Sequence, residues 1–290
     1  MIDQLRQTCR KLLEDGTVNV VIGYGHSGGG RNPAGQSTPD GPVHPVFITR
    51  PEDVDTLVWN DRCFANLTVY LTRKEIKALG KPAIIVKGCD ERALVVLEQE
   101  SQIDRSAMYV IGMACDGVGD PHALKCAVCD VHRPRTADIV IGETAADAGN
   151  PEARYADLDA FLTKTPAERM AYWTEELARC VKCYACRQVC PLCYCERCIV
   201  DKNRPVAIDT SATLKGNFAW QIVRAFHLAG RCIGCDECTR ACPAGINLRL
   251  LNQTLARAAE EHFTYRAGMD PETPPIIGSY SQTDEEDFIL

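Results

Sequence analysis

Two stretches of this chain share one cysteine pattern: 180-CVKCYACRQVCP-191 and 232-CIGCDECTRACP-243. Each reads C-x2-C-x2-C-x3-C followed by proline, which is the spacing that holds 4Fe-4S clusters. The first three cysteines are close enough in sequence to wrap around one cluster, while the fourth points away towards a neighbouring one. Because the pattern occurs twice, we interpret the chain as an electron carrier.

Two-cluster ferredoxins use a crossed arrangement, in which each cluster takes three cysteines from one run and the last cysteine of the other run. This arrangement predicts one cluster on Cys180, Cys183, Cys186 and Cys242, and a second on Cys232, Cys235, Cys238 and Cys190. Disulfides or zinc sites are the alternative interpretation. They are disfavoured because zinc sites use paired C-x2-C units, not a run of four cysteines with a trailing proline.

The composition is that of an intracellular globular protein. The chain has seventeen cysteines among 290 residues. Because thiols stay reduced inside the cell, we do not expect these cysteines to form disulfides. The sequence shows no apolar segment of transmembrane length and no charged-then-apolar leader after Met1, so we expect a cytoplasmic protein. A net charge of -7 argues against binding to nucleic acid.

The two halves of the chain have different hydrophobic patterns. The first half alternates short apolar runs, at 18–22, 43–48, 82–86, 108–113 and 137–141, with helical stretches at 51–59 and 91–100, which predicts an α/β sheet. The second half predicts helices at 166–179, 217–228 and 248–262. We therefore expect an α/β domain over residues 1–150, a mainly α-helical two-cluster ferredoxin domain over 151–263, and an extended acidic tail over 264–290, either solvated or draped over a partner.

Four isolated cysteines in the α/β half form a second pattern. Cys89 and Cys115 each follow a predicted strand, and Cys126 and Cys129 form a C-x2-C unit before the next one. Ligands of open α/β sheets gather outside the carboxyl ends of the strands. We therefore expect these four thiols to hold a third 4Fe-4S cluster.

The same residues resemble a known family, the beta subunits of deazaflavin-coenzyme-reducing hydrogenase and of the related formate dehydrogenase. The resemblance rests on three segments of roughly the first half: 86-VKGC-89, 111-IGMACDG-117, and 126-CAVC-129 with the strand 137-ADIVIG-142. It implies an FAD-containing domain with a nearby 4Fe-4S cluster, which passes electrons between an organic carrier and an iron-sulfur chain. The C-terminal part resembles the helical ferredoxins of heterodisulfide-reductase type.

A glycine-rich segment, 23-GYGHSGGGRN-32, follows the first predicted strand. Its backbone N–H groups and Arg31 are candidates for binding the pyrophosphate of the FAD, because a guanidinium group matches phosphate bidentately. We name Gly28, Gly29, Gly30 and Arg31 as the candidate FAD residues. A surface loop without a ligand is the alternative, since no helix clearly opens after the glycines.

Three further cysteines follow the first run directly: Cys193, Cys195 and Cys198. Together with the four cysteines of that run they make seven, which is more than one cluster requires. Three interpretations stay open. The three cysteines hold an additional cluster or a zinc ion, with Cys63 or Cys9 as a distant fourth ligand; or Cys195 and Cys198 exchange roles with the nominal ligands; or all three are buried or spare thiols.

Three functional hypotheses follow. The first is an iron-sulfur flavoprotein subunit of an anaerobic redox complex, which relays electrons between hydrogenase, formate dehydrogenase or heterodisulfide-reductase-like partners and a nicotinamide, deazaflavin or ferredoxin. The second is a stand-alone ferredoxin-dependent reductase that uses FAD on an organic substrate. The third is a non-enzymatic polyferredoxin without flavin. Bound flavin and co-purifying subunits distinguish the three.

Overall fold

The computed structural model describes residues 1–26, 41–143, 150–202, 205, 209, 211–279 and 282. Within these residues, one sheet has five strands: β1 Val20–His26, β2 Val43–Ile48, β3 Pro82–Val86, β4 Tyr109–Met113 and β5 Ile139–Ile141. The α-helices are α1 Ile2–Glu14, α2 Lys74–Lys77, α3 Gly88–Gln99, α4 Leu124–Ala127, α5 Ala156–Leu162, α6 Pro166–Ala178, α7 Ala185–Gln188, α8 Leu214–His227, α9 Glu237–Arg240 and α10 Leu248–Phe263. Short 3-10 turns span Pro51–Thr56, Leu67–Tyr70, Arg105–Ala107, Pro151–Tyr155 and Ile199–Lys202.

The N-terminal half is an α/β domain, and the C-terminal half is helical, as the hydrophobic patterns predict. The strand order is β2-β1-β3-β4-β5, in which β2 is antiparallel to β1 and the other neighbours are parallel. The central strands β3 and β4 are buried on both faces, which explains why their sequences are continuously apolar. Their carboxyl ends lead directly towards Cys89 and Cys115.

Several predicted boundaries differ from the observed ones. Strand β1 extends to His26, so Gly23 and Gly25 belong to the strand and not to a loop. A Cβ atom on Gly23 would lie 2.5 Å from Leu57 Cδ2, so the glycine permits close packing inside the sheet. The predicted helix at 51–59 is a 3-10 turn that ends at Thr56. Helix α1 was not predicted, although its buried residues Leu5, Cys9 and Leu12 pack on the sheet.

Helix α3 lies between the two halves of the molecule. On one side, Leu94 packs into the core of the sheet. On the other side, Ala93, Val96 and Leu97 pack with Leu228 and Ile233 of the helical half. Gly88 and all residues from Asp90 to Leu97 are buried, the charged ones included. The helix that carries Cys89 is therefore also the contact between the domains.

The segment after α10 packs on α3 and is not solvated at its start. Tyr265 and Ala267 are buried, and the guanidinium group of Arg92 donates to the carbonyl oxygen of Ala267 at 2.8 and 3.1 Å. The amide of Gln99 donates to the carbonyl oxygen of Thr273 at 2.8 Å. The expectation of a solvated tail is therefore wrong for this part of the segment. The acidic residues 284–287 lie outside the described residues.

Candidate iron-sulfur centres

The two cysteine runs of the helical half fold in the same way. In each run, the residues on either side of the second cysteine have positive φ: Lys182 and Tyr184 in the first, Gly234 and Asp236 in the second. A one-turn helix follows in both, α7 and α9. Left-handed backbone at non-glycine residues is uncommon and clusters at functional sites. The repeated spacing thus corresponds to a repeated loop.

One cavity in the helical half is lined by the four cysteines Cys180, Cys183, Cys186 and Cys242. The amide nitrogen of Gln221 lies 3.9 Å from Cys186 Sγ and 4.0 Å from Cys180 Sγ. The amide of Asn217 donates to the carbonyl oxygen of Cys180 at 2.7 Å. Both amides belong to α8, which fixes the loop and presents N–H donors to its sulfur atoms.

A second cavity is lined by Cys190, Cys232, Cys235 and Cys238. The amide nitrogen of Asn252, on α10, lies 3.4 Å from Cys238 Sγ. In both cavities, therefore, three cysteines of one run meet the last cysteine of the other, and a buried side-chain amide faces the sulfur atoms. This is the grouping that the crossed arrangement predicts.

A buried cation, Arg224, lies between the two cavities. Its Nη2 atom donates to the carbonyl oxygen of Cys186 at 3.0 Å, and the residue also lines the second cavity. Burial by itself would lower the pKa of Arg224, but the charges of Cys193, Cys190, Cys238 and Cys186 raise it above its usual range. Arg224 is therefore charged at neutral pH.

In the α/β half, Cys89, Cys126 and Cys129 line a third cavity. Cys89 lies in the first turn of α3, where the helix dipole favours an anion. Backbone N–H groups face two of the sulfur atoms: Val118 N lies 3.4 Å from Cys126 Sγ, and Val131 N lies 3.4 Å from Cys129 Sγ.

Cys115 is not among the residues that line this cavity. Burial raises the pKa of Cys115, and the charge of Cys126 adds to this increase. The carbonyl oxygen of Cys115 lies 2.8 Å from His132 Nδ1, which ties the cysteine to the segment that follows Cys129. The other ring nitrogen of His132 lies 3.2 Å from the carbonyl oxygen of Cys129, so one imidazole ring contacts the backbone of both cysteines.

A buried ion pair supports the same region. Lys87, immediately before the α3 helix, is 1% exposed and lies 2.8 Å from the carboxylate of Asp90. Its ammonium group also donates to the hydroxyl of Tyr24 and to the carbonyl oxygen of Cys63 at 3.0 Å. Burial would lower the pKa of Lys87, but the charge of Asp90 raises it above its usual range. The positive charge adjacent to Cys89 is therefore permanent at neutral pH.

The additional cysteines of the first run separate from one another. Cys195 is exposed, Cys193 packs near Cys190 and Arg224, and Cys198 packs in the other apolar cluster of the helical half. Cys9 and Cys63 lie in the core of the α/β half, where burial raises the pKa of Cys9 to about 12 and that of Cys63 to about 11. Neither core cysteine joins Cys193, Cys195 and Cys198.

Within the described ranges, no three His, Cys, Asp or Glu side chains come together as ligands of a single metal ion. The ligands of a cubane cluster surround four irons and stand farther apart than the ligands of one ion, so the three cysteine-lined cavities are compatible with this finding. The candidate FAD residues Gly28, Gly29, Gly30 and Arg31 lie outside the described residues.

Comparison with known proteins agrees with both halves. Residues 179–247 match the 4Fe-4S dicluster domain. The chain is 23% identical to the F420-dependent formate dehydrogenase subunit beta of Methanocaldococcus jannaschii, over 80% of this chain and 85% of the relative. It is 24% identical to the F420-dependent formate dehydrogenase 1 subunit beta of Methanococcus maripaludis, over 82% of this chain and 86% of the relative.

The chain is a homologue of these beta subunits. The similarity that the sequence shows in its first half therefore continues into the helical half, because it covers four fifths of the chain. These homologues are subunits of oxidoreductases. None of the helices in the described part of the chain has the length and apolar character needed to span a membrane.

Sequence reasoning missed the buried cations of the site. Arg92, Lys125 and Arg224 line the cysteine cavities, yet no spacing distinguishes them from surface arginines and lysines. Two of them are close to a cysteine in the sequence: Lys125 precedes Cys126, and Arg92 follows Cys89 by one turn of α3. Arg224 has no such signal.

Proposed function

We propose that this chain is an iron-sulfur electron-relay subunit of a cytoplasmic redox complex. The observation that supports it best is the pair of cavities in the helical half, each lined by three cysteines of one run and the fourth of the other. Such crossing is expected of two adjacent 4Fe-4S clusters and of no single-ion site. The proposed ligand sets are Cys180, Cys183, Cys186, Cys242 and Cys232, Cys235, Cys238, Cys190.

We further propose a third cluster on Cys89, Cys115, Cys126 and Cys129. The cavity lined by three of these cysteines also contains the side chains of Arg92 and Lys125. A 4Fe-4S cluster with four thiolate ligands is an anion, so buried cations and N–H donors favour it there. The donor set is sulfur throughout, which suits iron-sulfur clusters better than hard cations.

When bound, the clusters supply one-electron chemistry, at potentials that hydrogen bonds, charge and burial set. The residues of this chain then have three tasks. The cysteines hold the irons, the amides of Gln221 and Asn252 donate to cysteine sulfur, and Arg224 offsets negative charge between the two cavities. Apolar packing of α3 against both halves keeps the cavities at fixed distances.

FAD enters this proposal from the resemblance to the hydrogenase and formate dehydrogenase beta subunits, with Gly28, Gly29, Gly30 and Arg31 as its candidate contacts. A flavin converts two-electron hydride chemistry into single-electron steps. The homologues are named as F420-dependent enzymes, which favours a deazaflavin as the organic carrier over a nicotinamide or a ferredoxin.

The proposed complex contains partner subunits of hydrogenase, formate dehydrogenase or heterodisulfide-reductase type. Formate dehydrogenase is favoured, because the homologues are its beta subunits. The proposed division of labour is a flavin and iron-sulfur domain over 1–150, a two-cluster ferredoxin domain over 151–263, and a C-terminal segment over 264–290 that begins as a strap across α3.

The deciding experiment measures iron, acid-labile sulfide and flavin per chain on protein purified without oxygen. Three cubane clusters predict about twelve irons per chain, together with one FAD. About sixteen irons would assign a fourth cluster to Cys193, Cys195 and Cys198. About eight irons without flavin would contradict the proposal for the α/β half and favour the polyferredoxin. Twelve irons and FAD in a fully active monomer would favour the stand-alone reductase.

A further inference from the structure

The cavity of the α/β half opens onto the second cysteine run of the helical half. Besides Cys89, Cys126 and Cys129, it is lined by Cys232 and by the residues that follow it, Ile233 and Gly234. The cysteines of two different domains thus face one cavity. Cys232 also lines the second ferredoxin cavity, so these two sites share a wall.

Arg92 is the first of two cations of the α/β cavity that donate to this loop of the helical half. Arg249 lines both cavities but pairs with Asp236 and Asp157. Arg92 lies one helical turn after Cys89 on α3, and it is 9% exposed. Its Nη1 atom donates to the carbonyl oxygen of Ile233 at 3.0 Å.

Among the described residues no carboxylate pairs with Arg92, and burial lowers the pKa of Arg92 only to about 10, so it is charged at neutral pH. The charge of Asp130 raises the pKa of Arg92, but that carboxylate is bound by Arg154 and Arg266. A buried guanidinium group without an ion-pair partner of its own favours a further anion in the cavity.

Lys125 is the second cation. It immediately precedes Cys126, and its side chain is 8% exposed. Its Nζ atom donates to the carbonyl oxygen of Cys235 at 3.1 Å and lies 3.9 Å from the carboxylate of Glu237. Lys125 is therefore covalently adjacent to Cys126 of the α/β half and hydrogen-bonded to the backbone of Cys235 in the helical half.

Both cations have the same relation to the two cysteine sites. Each is joined by a short stretch of chain to a cysteine of the α/β half, and each donates to the backbone of the loop 232–235. A cluster gains one negative charge when it is reduced, so a fixed positive charge beside it stabilises the reduced form more than the oxidised form. The effect is large where water is excluded.

We propose that Arg92 and Lys125 are positioning residues of an electron-transfer junction between the two domains, holding the loop 232–235 against the α/β site and raising the reduction potentials of the clusters on both sides. This rests on the proposed function. One electron, supplied by the reduced organic carrier, leaves one cluster and enters the next. The donor is oxidised by one electron and the acceptor is reduced by one, and no bond is made or broken.

The test is an EPR-monitored redox titration of the full chain, purified without oxygen, comparing the wild type with Lys125→Gln and Arg92→Gln. We expect each variant to lower the reduction potentials of the two junction clusters, which are the one of the α/β half and the one on Cys232, Cys235, Cys238 and Cys190. The expected change in the reduced-to-oxidised ratio is at least tenfold, which corresponds to 59 mV for one electron. The cluster on Cys180, Cys183, Cys186 and Cys242 serves as the internal control and keeps its potential. Lys125→Arg and Arg92→Lys retain the charge and should restore the potentials.

A further variant covers the case in which removal of a cation disrupts folding. Glu237→Gln removes a negative charge near Lys125 and should shift the potential of the cluster on Cys232, Cys235, Cys238 and Cys190 upwards. Unchanged potentials in all three neutralised variants, at about twelve irons per chain, would overturn the junction but leave the proposed function intact. The junction would also be overturned if Lys125→Arg and Arg92→Lys lowered the potentials as much as the glutamine variants do. About eight irons in the wild type would overturn both proposals.

Discussion

The side-chain amide nitrogen of Asn252 lies 3.4 Å from the Sγ atom of Cys238. In the equivalent position of the other cavity, the amide of Gln221 lies 3.9 Å from Cys186 Sγ. Both amides are on long helices, α10 and α8, which pack against the cysteine loops. The two cavities of the helical half thus have the same kind of donor, at different distances.

We predict that Asn252→Leu lowers the potential of the cluster on Cys232, Cys235, Cys238 and Cys190. An N–H group that donates to sulfur stabilises the more negative, reduced cluster, so its loss favours the oxidised form. The expected shift is about threefold to tenfold in the redox equilibrium, or roughly 30–60 mV for one electron. Redox titration followed by EPR measures it.

Gln221→Leu is the matched control. Because its amide is more distant from sulfur, we expect a smaller decrease, confined to the cluster on Cys180, Cys183, Cys186 and Cys242. Equal shifts of both clusters in either variant would indicate a general loosening of the fold and would contradict the assignment of one amide to each cluster.

Substitution of the fourth cysteine of each run tests the crossed arrangement. We predict that Cys190→Ser weakens the cluster on Cys232, Cys235 and Cys238, because Cys190 lines their cavity, and leaves the signal of the cluster on Cys180 unchanged. Iron per chain should fall by about four. Cys195→Ser is the control, since Cys195 is exposed and lines neither cavity.

The opposite pattern, in which Cys190→Ser removes the cluster on its own run, would show that each run binds its cluster alone. Retention of all irons in Cys190→Ser would point to replacement by Cys193, whose pKa the hydrogen bond from Cys190 lowers to about 6. The double variant Cys190→Ser/Cys193→Ser would then lose the cluster.

Most of the structure that can be predicted from the sequence follows from the cysteine pattern and the apolar runs. Strands β2 and β3 have their predicted bounds, because an apolar run between turn-forming residues leaves little choice. The start of α6 at Pro166 follows from its neighbours: the Thr165 hydroxyl and the Glu168 carboxylate cap the first turn reciprocally.

Other features depend on contacts distant in sequence and were not predictable. Gly23 reads as part of a flexible glycine run, but it lies in a strand because Leu57 and Ile85 leave no room for a side chain. Arg92 reads as an ordinary helical arginine until the chain returns at Ile233 and Ala267, 141 and 175 residues later, to accept its hydrogen bonds.

Gly88 tests how the third site is held together. A Cβ atom on Gly88 would lie 2.1 Å from the carbonyl oxygen of Val131, two residues after Cys129. We predict that Gly88→Ala displaces this segment and removes the cluster of the α/β half, so that iron falls from about twelve to about eight per chain. Gly16→Ala is the control for a glycine replacement without a clash: it carries the backbone penalty of φ +66°, but nothing lies within 4 Å of its Cβ position. Twelve irons in Gly88→Ala would show that the close contact is not required.

Gly268 tests whether the segment after α10 contributes to stability. Gly268 has φ +68°, and a Cβ atom on it would lie 2.1 Å from the carbonyl oxygen of Arg92, in the backbone of α3. We predict that Gly268→Ala detaches the segment from α3 and lowers the free energy of unfolding by about 1–3 kcal/mol beyond the conformational penalty.

Gly278→Ala isolates that penalty, because Gly278 also has positive φ, +91°, but no atom lies within 4 Å of its Cβ position. Both variants carry the cost of about 1–2 kcal/mol for a left-handed alanine, so the difference between them reports the contact with α3. Anaerobic urea unfolding, followed by far-UV circular dichroism, measures both. Equal unfolding midpoints would mean that the segment can leave α3 without loss, and the burial of Tyr265 and Ala267 would then contribute little to the stability of the folded chain.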